Sequence, residues 1–251
     1  MSLTLTPLNN IPLIRHGDNL ADIILNAMPN TGLELQDNDI FVLAQKIVSK
    51  SEGRMVNLAD VEPSPRAKEL SIQVEKDPRL IEWILRESNE VLRVRKDVLI
   101  VEHRLGFVCA NAGIDHSNVN PDEDFVLLLP EDPDLSARNL REEIYKTTGK
   151  TTGVMIIDSH GRAWRNGTVG VCIGLGGIPA LVDERGWQDL FGYTLKATIV
   201  GVADELAAAA SLVMGQAAEG TPVTHVRGFP YPSKEGSLKE LIRPKDMDMF
   251  R

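Results

Sequence analysis

The 251-residue sequence contains only two cysteines, Cys109 and Cys172, and each lies inside an apolar segment. Two cysteines cannot form a disulfide framework, and without a Cys-x-x-Cys or Cys/His cluster they do not indicate a zinc site. We expect both to be buried, reduced thiols of a cytoplasmic protein. Aromatic residues make up only 5% of the chain, so the sequence predicts a core built mainly from aliphatic side chains.

Long apolar runs and basic blocks are also missing. No run approaches the roughly 18–20 apolar residues that a membrane span requires, and the N-terminus lacks the basic and apolar regions of a signal peptide. The 27 Lys and Arg residues are outnumbered by 36 Asp and Glu, which gives a net charge of -9. Such a chain is a poor candidate for binding a nucleic-acid backbone. Anionic ligands would need local positive charge, helix N-termini or metal ions.

Two glycine motifs for phosphate binding are incomplete. Gly149–Thr151 matches the last three residues of a P-loop, but Ile144 stands where its first glycine is required. Gly174–Gly177 resembles the start of a dinucleotide fingerprint, but Pro179 occupies the third glycine position. The G-x-S-x-G and H-E-x-x-H motifs do not occur. The sequence therefore excludes the common phosphate-binding, serine-hydrolase and zinc-protease motifs.

The length suits one large domain or two intimate lobes, and 43% hydrophobic with 25% charged residues is typical of a globular protein. Helix caps are predicted at Asp18, Asp77 and Ser136, the alanine-rich helix is predicted to open at Asp204, and helix ends are predicted at Gly149 and Gly215. Helical and β-rich segments do not alternate strictly, which leaves an α+β fold and a doubly wound sheet both open. The apolar runs predict strands at Ile40–Ala44, Val98–Val101, Phe107–Cys109, Phe125–Leu129, Val154–Ile157, Val169–Ile173, Ala197–Val202 and Val223–Val226.

Two aspartates follow apolar strands and are the main candidates for chemistry. Asp115 follows the segment GFVCANAGI, and Asp158 follows the strand VMII. Each could simply cap a turn. Together they also suit Mg²⁺ or Mn²⁺, which take carboxylate, water and phosphate oxygens in nucleotide sites. His116 and His160 each follow one of these aspartates, but neither is predicted to be a metal ligand.

Basic residues flank the same segments. Lys46 and Lys50 are four apart and would share one face if their segment is helical. Arg162 and Arg165 follow Asp158, and Arg66 lies in a Pro/Ser-rich loop. Each is a candidate for contact with an anionic ligand, and for each the alternative is an ordinary solvated surface charge.

Taken in order, several segments of the chain resemble the coenzyme F420-0:L-glutamate ligase family, the γ-glutamyl ligases of deazaflavin cofactor maturation. The resemblance covers nearly the whole chain and depends on many blocks in the same order, none of which would suffice alone. These blocks are IPLIRHGD, QKIVSKSEGR, PSPRAKEL, NAGIDHSNV, LLPEDPDLSARNLREEI, VMIIDSHGRAWRNGTVGVCIG and VADELAAAASLVMGQAAEGTPVTHVRG.

The resemblance implies a GTP-dependent ligase. It would activate a carboxylate of F420-0 as an acyl phosphate, join L-glutamate to it as an amide, and release GDP and phosphate, with further γ-linked glutamates in later rounds. It also implies Mn²⁺ or Mg²⁺ at the phosphates and a monovalent cation such as K⁺. The family fold is α+β with two interwoven lobes in an intimate homodimer. We expect residues 1–251 to form a single ligase domain, without the C-terminal nitroreductase-like domain of some relatives.

By matching segments, the resemblance also assigns roles to residues. Asp115 and Asp158 would be metal ligands that act in catalysis, with Ser159 and Gln216 as further ligands. Arg66 and Arg162 are candidates for substrate contact. The residues that fall on nucleotide-binding segments are Ile11, Pro12, Leu13, Ile14, Gln45, Lys46, Lys50, Asn118, Met214, Gly215, Gln216, Ala217, Ala218, Glu219, Gly220 and Thr221.

The chain departs from the family pattern at a few positions. Asn10 replaces a usual glycine, Gly170-Val171 stands where many members have an acidic residue, and Gln45-Lys46 replaces smaller hydroxyl residues. These differences concern base preference and substrate detail. Two alternatives remain: a non-catalytic nucleotide- or deazaflavin-binding relative, and an amide ligase that uses another carboxylate acceptor.

Overall fold

The computed structural model describes residues 2–119 and 124–249. In these residues the strands are β1 (Thr4–Pro7), β2 (Ile40–Ala44), β3 (Met55–Asn57), β4 (Ser88–Arg95), β5 (Val98–His103), β6 (Val108–Ala110), β7 (Phe125–Leu127), β8 (Gly153–Arg162), β9 (Arg165–Gly176), β10 (Val182–Asp183), β11 (Ile199–Val200) and β12 (Val223–Arg227). The helices are α1 (Leu20–Ala27), α2 (Gln45–Ser51), α3 (Pro65–Val74), α4 (Pro78–Arg86), α5 (Pro133–Thr148), α6 (Val202–Met214) and α7 (Leu238–Leu241).

A five-stranded sheet in the order β1-β12-β2-β8-β9 forms the centre of the fold. Only its β2 and β8 are parallel; the other neighbours are antiparallel. Successive side chains of β2 point to opposite faces of the sheet, and all of them are apolar, so both faces are covered by helices. Phe41 and Leu43 pack with α1, α2 and α5 on one face. Ile40 and Val42 pack with α6 on the other. The fold is therefore mixed α and β, and not a doubly wound parallel sheet.

Glycines let helices approach β9 closely. A Cβ on Gly170 would lie 2.6 Å from the carbonyl oxygen of Ala207 in α6, and one on Gly174 would lie 2.4 Å from Pro133 at the start of α5. Contacts this short would force the backbone to move. The glycines of the incomplete dinucleotide fingerprint thus serve helix–sheet packing in this structure.

Besides the hydrophobic clusters on the two faces of the central sheet, a third cluster lies apart from it. It contains α3 and α4, packed on the three-stranded sheet β4-β5-β6. Its core includes Leu70, Ile81, Ile84 and Leu99, all at most 1% exposed. Phe107 packs against this third cluster and also against the cluster on the α1, α2 and α5 face of the central sheet. These two clusters therefore meet next to β6.

The structure confirms several predicted elements and corrects others. The β2 strand, the Asp77 cap and the left-handed Gly149 end occur as predicted. The strand predicted at Ala197–Val202 is present but shorter: β11 spans only Ile199–Val200, and α6 already begins at Val202. The caps predicted at Asp18 and Ser136 were wrong: the capping residues are Asn19 and Asp132. The helix predicted to open at Asp204 begins two residues earlier, at Val202.

Residues 184–198 connect the two short antiparallel strands β10 and β11. Leu190 and Phe191 in this segment are 98% and 95% exposed. Two adjacent apolar side chains that contact so little of their own chain are unusual in a monomer. Elsewhere, the helices of the described ranges are all too short or too polar to cross a bilayer.

Candidate functional site

A cavity of about 370 Å³ opens at the end of the central sheet where β2 passes into α2. The parallel register places Ala44, the last residue of β2, beside Ile157 of β8, and both line the cavity. The chain after each of these residues carries the polar side chains Gln45 and Asp158. The strand pairing therefore brings together two segments that are more than 100 residues apart in sequence.

All the residues predicted to bind nucleotide line this cavity, although they come from four separate segments. The lining includes an N-terminal segment, residues from both ends of α2, one residue of the segment before β7, and the loop after α6. They are Ile11, Pro12, Leu13, Ile14, Gln45, Lys46, Lys50, Asn118, Met214, Gly215, Gln216, Ala217, Ala218, Glu219, Gly220 and Thr221. The predicted metal ligands Asp158 and Ser159 also line it.

Asp115 is held beside the cavity by two side chains of α2. Gln45 Nε2 donates a hydrogen bond to Asp115 Oδ2 at 2.6 Å, and Lys46 Nζ lies 2.5 Å from the same oxygen. Ser49 Oγ donates to Gln45 Oε1 at 2.9 Å and so orients the amide. The Asp115 backbone forms a bridge with Leu127. The carboxylate is therefore fixed by charge-assisted contacts between side chains.

Burial raises the pKa of Asp115, Lys46 lowers it, and the nearby charge of Asp158 raises it. The two carboxylates are therefore close enough to repel each other, although they come from different elements. A cation bound between them would relieve this repulsion.

The sequence predicted that Asp158 follows a strand. In the structure it lies within one, β8. β8 continues to Arg162 and pairs with β9 in a long hairpin, with a register shift between Ile156 and Ile157. Such a bulge redirects the following side chains, and here the adjacent residues Asp158 and Ser159 both reach the cavity lining. His160 Nε2 lies 3.0 Å from Asp158 Oδ2.

A chain of hydrogen bonds connects β8 to α6 and to the loop after it. Ser159 Oγ donates to Gln216 Oε1 at 2.7 Å, and Gln216 Nε2 donates to Ser211 Oγ at 2.9 Å. Ser211 is 7% exposed. These contacts fix the side chain of Gln216 at the edge of the cavity, beside the predicted metal ligand Ser159.

Asn118 joins two of the cavity-lining segments. Its Nδ2 donates to the carbonyl oxygen of Ala217 at 2.9 Å, and its own carbonyl accepts a hydrogen bond from Lys50 Nζ at 2.6 Å. Lys50 therefore has a structural contact as well as a place in the cavity lining.

Lys46 and Lys50 form the positive side of the cavity. They lie one turn apart on α2, as predicted, and both line the cavity. Burial lowers the pKa of Lys50, and the charge of Lys46 lowers it further. Two partly buried ammonium groups that repel each other favour an anionic ligand between them.

The donor set suits a hard divalent cation. Asp115, Asp158, Ser159 and Gln216 offer two carboxylates, a hydroxyl and an amide oxygen, the ligand types that Mg²⁺ and Mn²⁺ take. Among the described residues, no three His, Cys, Asp or Glu side chains converge to hold a metal. Ligand and water oxygens would therefore have to complete the coordination, as is usual for Mg²⁺ at phosphates.

The two arginines predicted to contact substrate do not line the cavity. Arg66 lies in the first turn of α3 and pairs with Glu69 at 2.6 Å on an exposed surface. Arg162 lies at the far end of β8 and is also exposed. His116 is exposed too, whereas His160 is largely buried beside Asp158.

Some cavity residues were not predicted. Ala44, Ile47, Ile157, Ser211 and Pro222 also line the cavity. Ser211 had a weak signal, because it follows a run of four alanines in a helix whose other interior residues are apolar. The position of the apolar residues depends on strand pairing that local sequence does not reveal.

The sequence profile described as F420-0:Gamma-glutamyl ligase matches residues 9–228 of the chain. A protein of Methanothermobacter thermautotrophicus named coenzyme F420:L-glutamate ligase is 46% identical over 253 residues, covering 100% of both chains. Relatives with the same name are 46% identical in Methanopyrus kandleri, over 95% of this chain and 93% of the relative, and 41% identical in Archaeoglobus fulgidus, over 100% and 97%. The matched residues include every element that lines the cavity, and the chain belongs to the F420-0:gamma-glutamyl ligase family.

Proposed function

We propose that the chain is a GTP-dependent ligase that joins L-glutamate to F420-0 through an amide bond in coenzyme F420 biosynthesis. Membership of the family and the names of its relatives support the reaction. The observation that carries the proposal is that Asp158, Lys46 and Lys50 line one cavity. A second carboxylate, Asp115, pairs with Lys46 beside it. Metal-assisted phosphoryl transfer requires these groups and needs no protein nucleophile.

The cavity supplies separate surfaces for the parts of GTP. Ile11–Ile14 and the loop Met214–Thr221 offer apolar and backbone groups for the base and sugar. Lys46 and Lys50 lie on α2 and stabilise the negative charge of the phosphates. Asn118, which bonds both Lys50 and the loop after α6, keeps these two surfaces together.

In the proposed reaction, a carboxylate oxygen of F420-0 attacks the γ-phosphorus of GTP, and GDP leaves. The glutamate amine then attacks the carbonyl carbon of the acyl phosphate, loses a proton, and inorganic phosphate leaves as the amide forms. Both steps build negative charge on phosphate oxygens, which the lysines stabilise.

Asp115, Asp158, Ser159 and Gln216 would hold Mn²⁺ or Mg²⁺, which neutralises phosphate charge when bound. We place K⁺ as a further cation of the site, and propose that repeated rounds add γ-linked glutamates.

The experiment that tests this function is incubation of the purified chain with F420-0, GTP, Mn²⁺ and L-glutamate, with the products read by mass spectrometry. We expect F420-0 to gain one or more glutamyl groups, with GDP and phosphate released in equal amounts. Omission of glutamate and replacement of GTP by GDP are the controls.

The same experiment separates the alternatives. A non-catalytic nucleotide- or deazaflavin-binding relative would bind GTP or F420-0 without forming product. An amide ligase for another acceptor would leave F420-0 unchanged but release GDP and phosphate when given its own carboxylate. Either result would overturn the proposal.

A further inference from the structure

We infer that His160 is a positioning residue of the site: it orients the carboxylate of Asp158 for metal binding, and the ring of Phe107 holds it in place. The inference rests on the proposed function, because it assigns a role toward the metal of that site. It adds two residues to the site, and neither of them lines the cavity itself.

The two carboxylates of the site are held in different ways. Asp115 is fixed by Gln45 and Lys46 of α2. Among the residues that the structure describes, only His160 contacts the Asp158 carboxylate through a hydrogen bond, with its Nε2 3.0 Å from Oδ2. Since an ionised carboxylate can only accept, the ring N–H donates. This bond engages Oδ2 and fixes the rotation of the carboxylate, so the imidazole determines how Asp158 meets a cation in the cavity.

The other groups near Asp158 cannot replace His160. Burial, aided by the nearby charge of Asp158, raises the pKa of Cys109 to about 12. The thiol is therefore neutral, and a thiol is only a weak hydrogen-bond donor. Asp115 is also close, but its carboxylate and that of Asp158 repel each other. Of these three neighbours, only His160 stabilises one orientation of the carboxylate.

His160 acts through Asp158 and does not reach the nucleotide cavity. Its side chain is 10% exposed and lines a separate cavity of about 250 Å³ beside β9 and α7. Asp158 lines the larger cavity, so the imidazole lies behind the carboxylate. Hydrogen-bond partners in this position orient metal-binding carboxylates in many proteins, and their loss typically lowers metal affinity or activity by about 10- to 100-fold.

A column of three aromatic rings holds the imidazole. The ring centroids of Phe107 and His160 are 5.2 Å apart, and those of Phe107 and His103 are 5.0 Å apart with planes only 4° from parallel. The His103 amide donates to the carbonyl oxygen of Phe107 at 2.8 Å across the tight turn between β5 and β6. Gly106 permits this turn with a φ of 97°. The turn therefore places the rings of His103 and Phe107 side by side.

The far end of the column is rigid. His103 is 0% exposed, and its Nδ1 accepts a hydrogen bond from the amide of Leu105 at 3.0 Å. Phe107 packs against both the third cluster and the α1, α2 and α5 face of the central sheet. The β5–β6 hairpin is thus connected by ring contacts to the orientation of Asp158 in β8.

Binding of Mn²⁺ alone to the full chain tests the inference without turnover. The decrease in the electron paramagnetic resonance signal of free Mn²⁺ gives the dissociation constant. We expect His160→Leu, which keeps much of the volume but has no donor, to weaken Mn²⁺ binding by about tenfold or more. His160→Gln places an amide N–H near the position of Nε2 and should restore most of the affinity. His116→Leu is the matched control, because it changes an exposed histidine that directly follows the other aspartate, Asp115.

A double-variant cycle tests the role of Phe107. Phe107→Leu alone should weaken Mn²⁺ binding by about two- to tenfold, the contribution of one aromatic pair. Because Phe107 acts through His160, the variant Phe107→Leu/His160→Leu should bind Mn²⁺ no more weakly than His160→Leu. Additive losses would show that Phe107 acts independently and would overturn the role assigned to it.

The remaining outcomes separate this inference from the proposed function. If wild type adds glutamate to F420-0 but His160→Leu binds Mn²⁺ as tightly as wild type, the inference fails and the function stands. If His160→Leu and His160→Gln lose Mn²⁺ affinity and melting temperature equally, the ring only fills space and the inference also fails. If the variants show the expected order of affinities but wild type forms no product, the positioning of Asp158 stands and the ligase function fails.

Folding of the variants is checked by their melting temperatures. Should His160→Leu not fold, Phe107→Leu decides the test, since it leaves the donor in place and removes only the ring beside it. An Mn²⁺ affinity equal to that of wild type in Phe107→Leu would then overturn the inference.

Discussion

Asp115 and Asp158 are the two side chains on which the proposed chemistry depends most. We expect Asp115→Asn and Asp158→Asn each to reduce glutamyl transfer by at least about 100-fold, because each removes a charge that would hold the phosphate-bound metal. The fold should stay intact, since asparagine keeps the shape and can still accept the hydrogen bond from Gln45. The double variant should be little worse than either single one, because residues that act as one unit are not additive.

Thermal melts with and without Mn²⁺ provide the check on metal binding. Mn²⁺ should raise the melting temperature of wild type by mass action and leave both variants unchanged. Asp183→Asn, an exposed aspartate paired with Arg185, is the control. If both cavity variants instead keep activity and the Mn²⁺ response but lose stability, the aspartates cap turns and the metal assignment is wrong.

Lys50 combines a cavity position with a backbone contact, so its two roles must be separated. We expect Lys50→Ala to raise KM for GTP by about tenfold or more, because a charge-assisted hydrogen bond to phosphate is worth on the order of 1.5–3 kcal/mol. Steady-state kinetics with varied GTP measures the change, and Lys146→Ala on the exposed face of α5 is the control. An unchanged KM with a lower melting temperature would show that Lys50 serves mainly to hold Asn118.

The strand pair β2–β12 is fixed at one end by a buried carboxylate. Asp39 is 1% exposed and accepts hydrogen bonds from Arg227 Nε at 2.8 Å, Arg227 Nη2 at 2.6 Å and the amide of Gln36 at 2.8 Å. His225 Nε2 lies 2.9 Å from Asp39 Oδ2. Burial opposes ionisation, but the contacts with Arg227, His225 and the Gln36 amide outweigh it and lower the pKa of Asp39 to about 2.

This depressed pKa predicts a pH-dependent contribution to stability. A carboxyl with a lower pKa in the folded state stabilises it above the unfolded value near 3.9, and loses that contribution as pH falls towards 2. Asp39→Asn should therefore reduce the free energy of unfolding by on the order of 2 kcal/mol at pH 7. The difference from wild type should shrink between pH 4 and pH 2. Urea unfolding at several pH values measures it; a difference that is constant with pH would mean that the charge of Asp39 contributes nothing.

Local sequence predicted those elements whose physical cause is local. The all-apolar β2 is buried on both faces, and the predicted bounds are confirmed. β1 and β4 were missed because their residues are mostly half-exposed or exposed and polar, and because β1 depends on pairing with β12 more than 200 residues later. The cap of α5 was placed one turn late, since both Asp132 and Ser136 are good capping residues and only the structure shows which amide is free to bond.

The site was predicted in the same uneven way. The charged residues Lys46, Lys50 and Asp158 could be proposed because polar groups after apolar strands are conspicuous. Their convergence could not, because it depends on the parallel register of β2 with β8. The resemblance to a family supplied the cavity loop after α6, for which the residues alone gave no chemical reason.

The whole molecule exposes an apolar surface that points to a second copy of the chain. We expect the protein to be a homodimer, as the family resemblance implies, with Leu190 and Phe191 at the interface because both are at least 95% exposed. Light scattering at micromolar concentration should give twice the chain mass of 27.6 kDa. Leu190→Lys with Phe191→Lys should shift the mass towards that of one chain, since burying two lysines at an apolar interface is strongly unfavourable.

Leu212→Lys, at an 87% exposed leucine of α6, is the matched control and should remain dimeric. A wild-type mass of 27.6 kDa would exclude the dimer, whereas a dimer that survives the double substitution and is lost in Leu212→Lys would move the interface to α6.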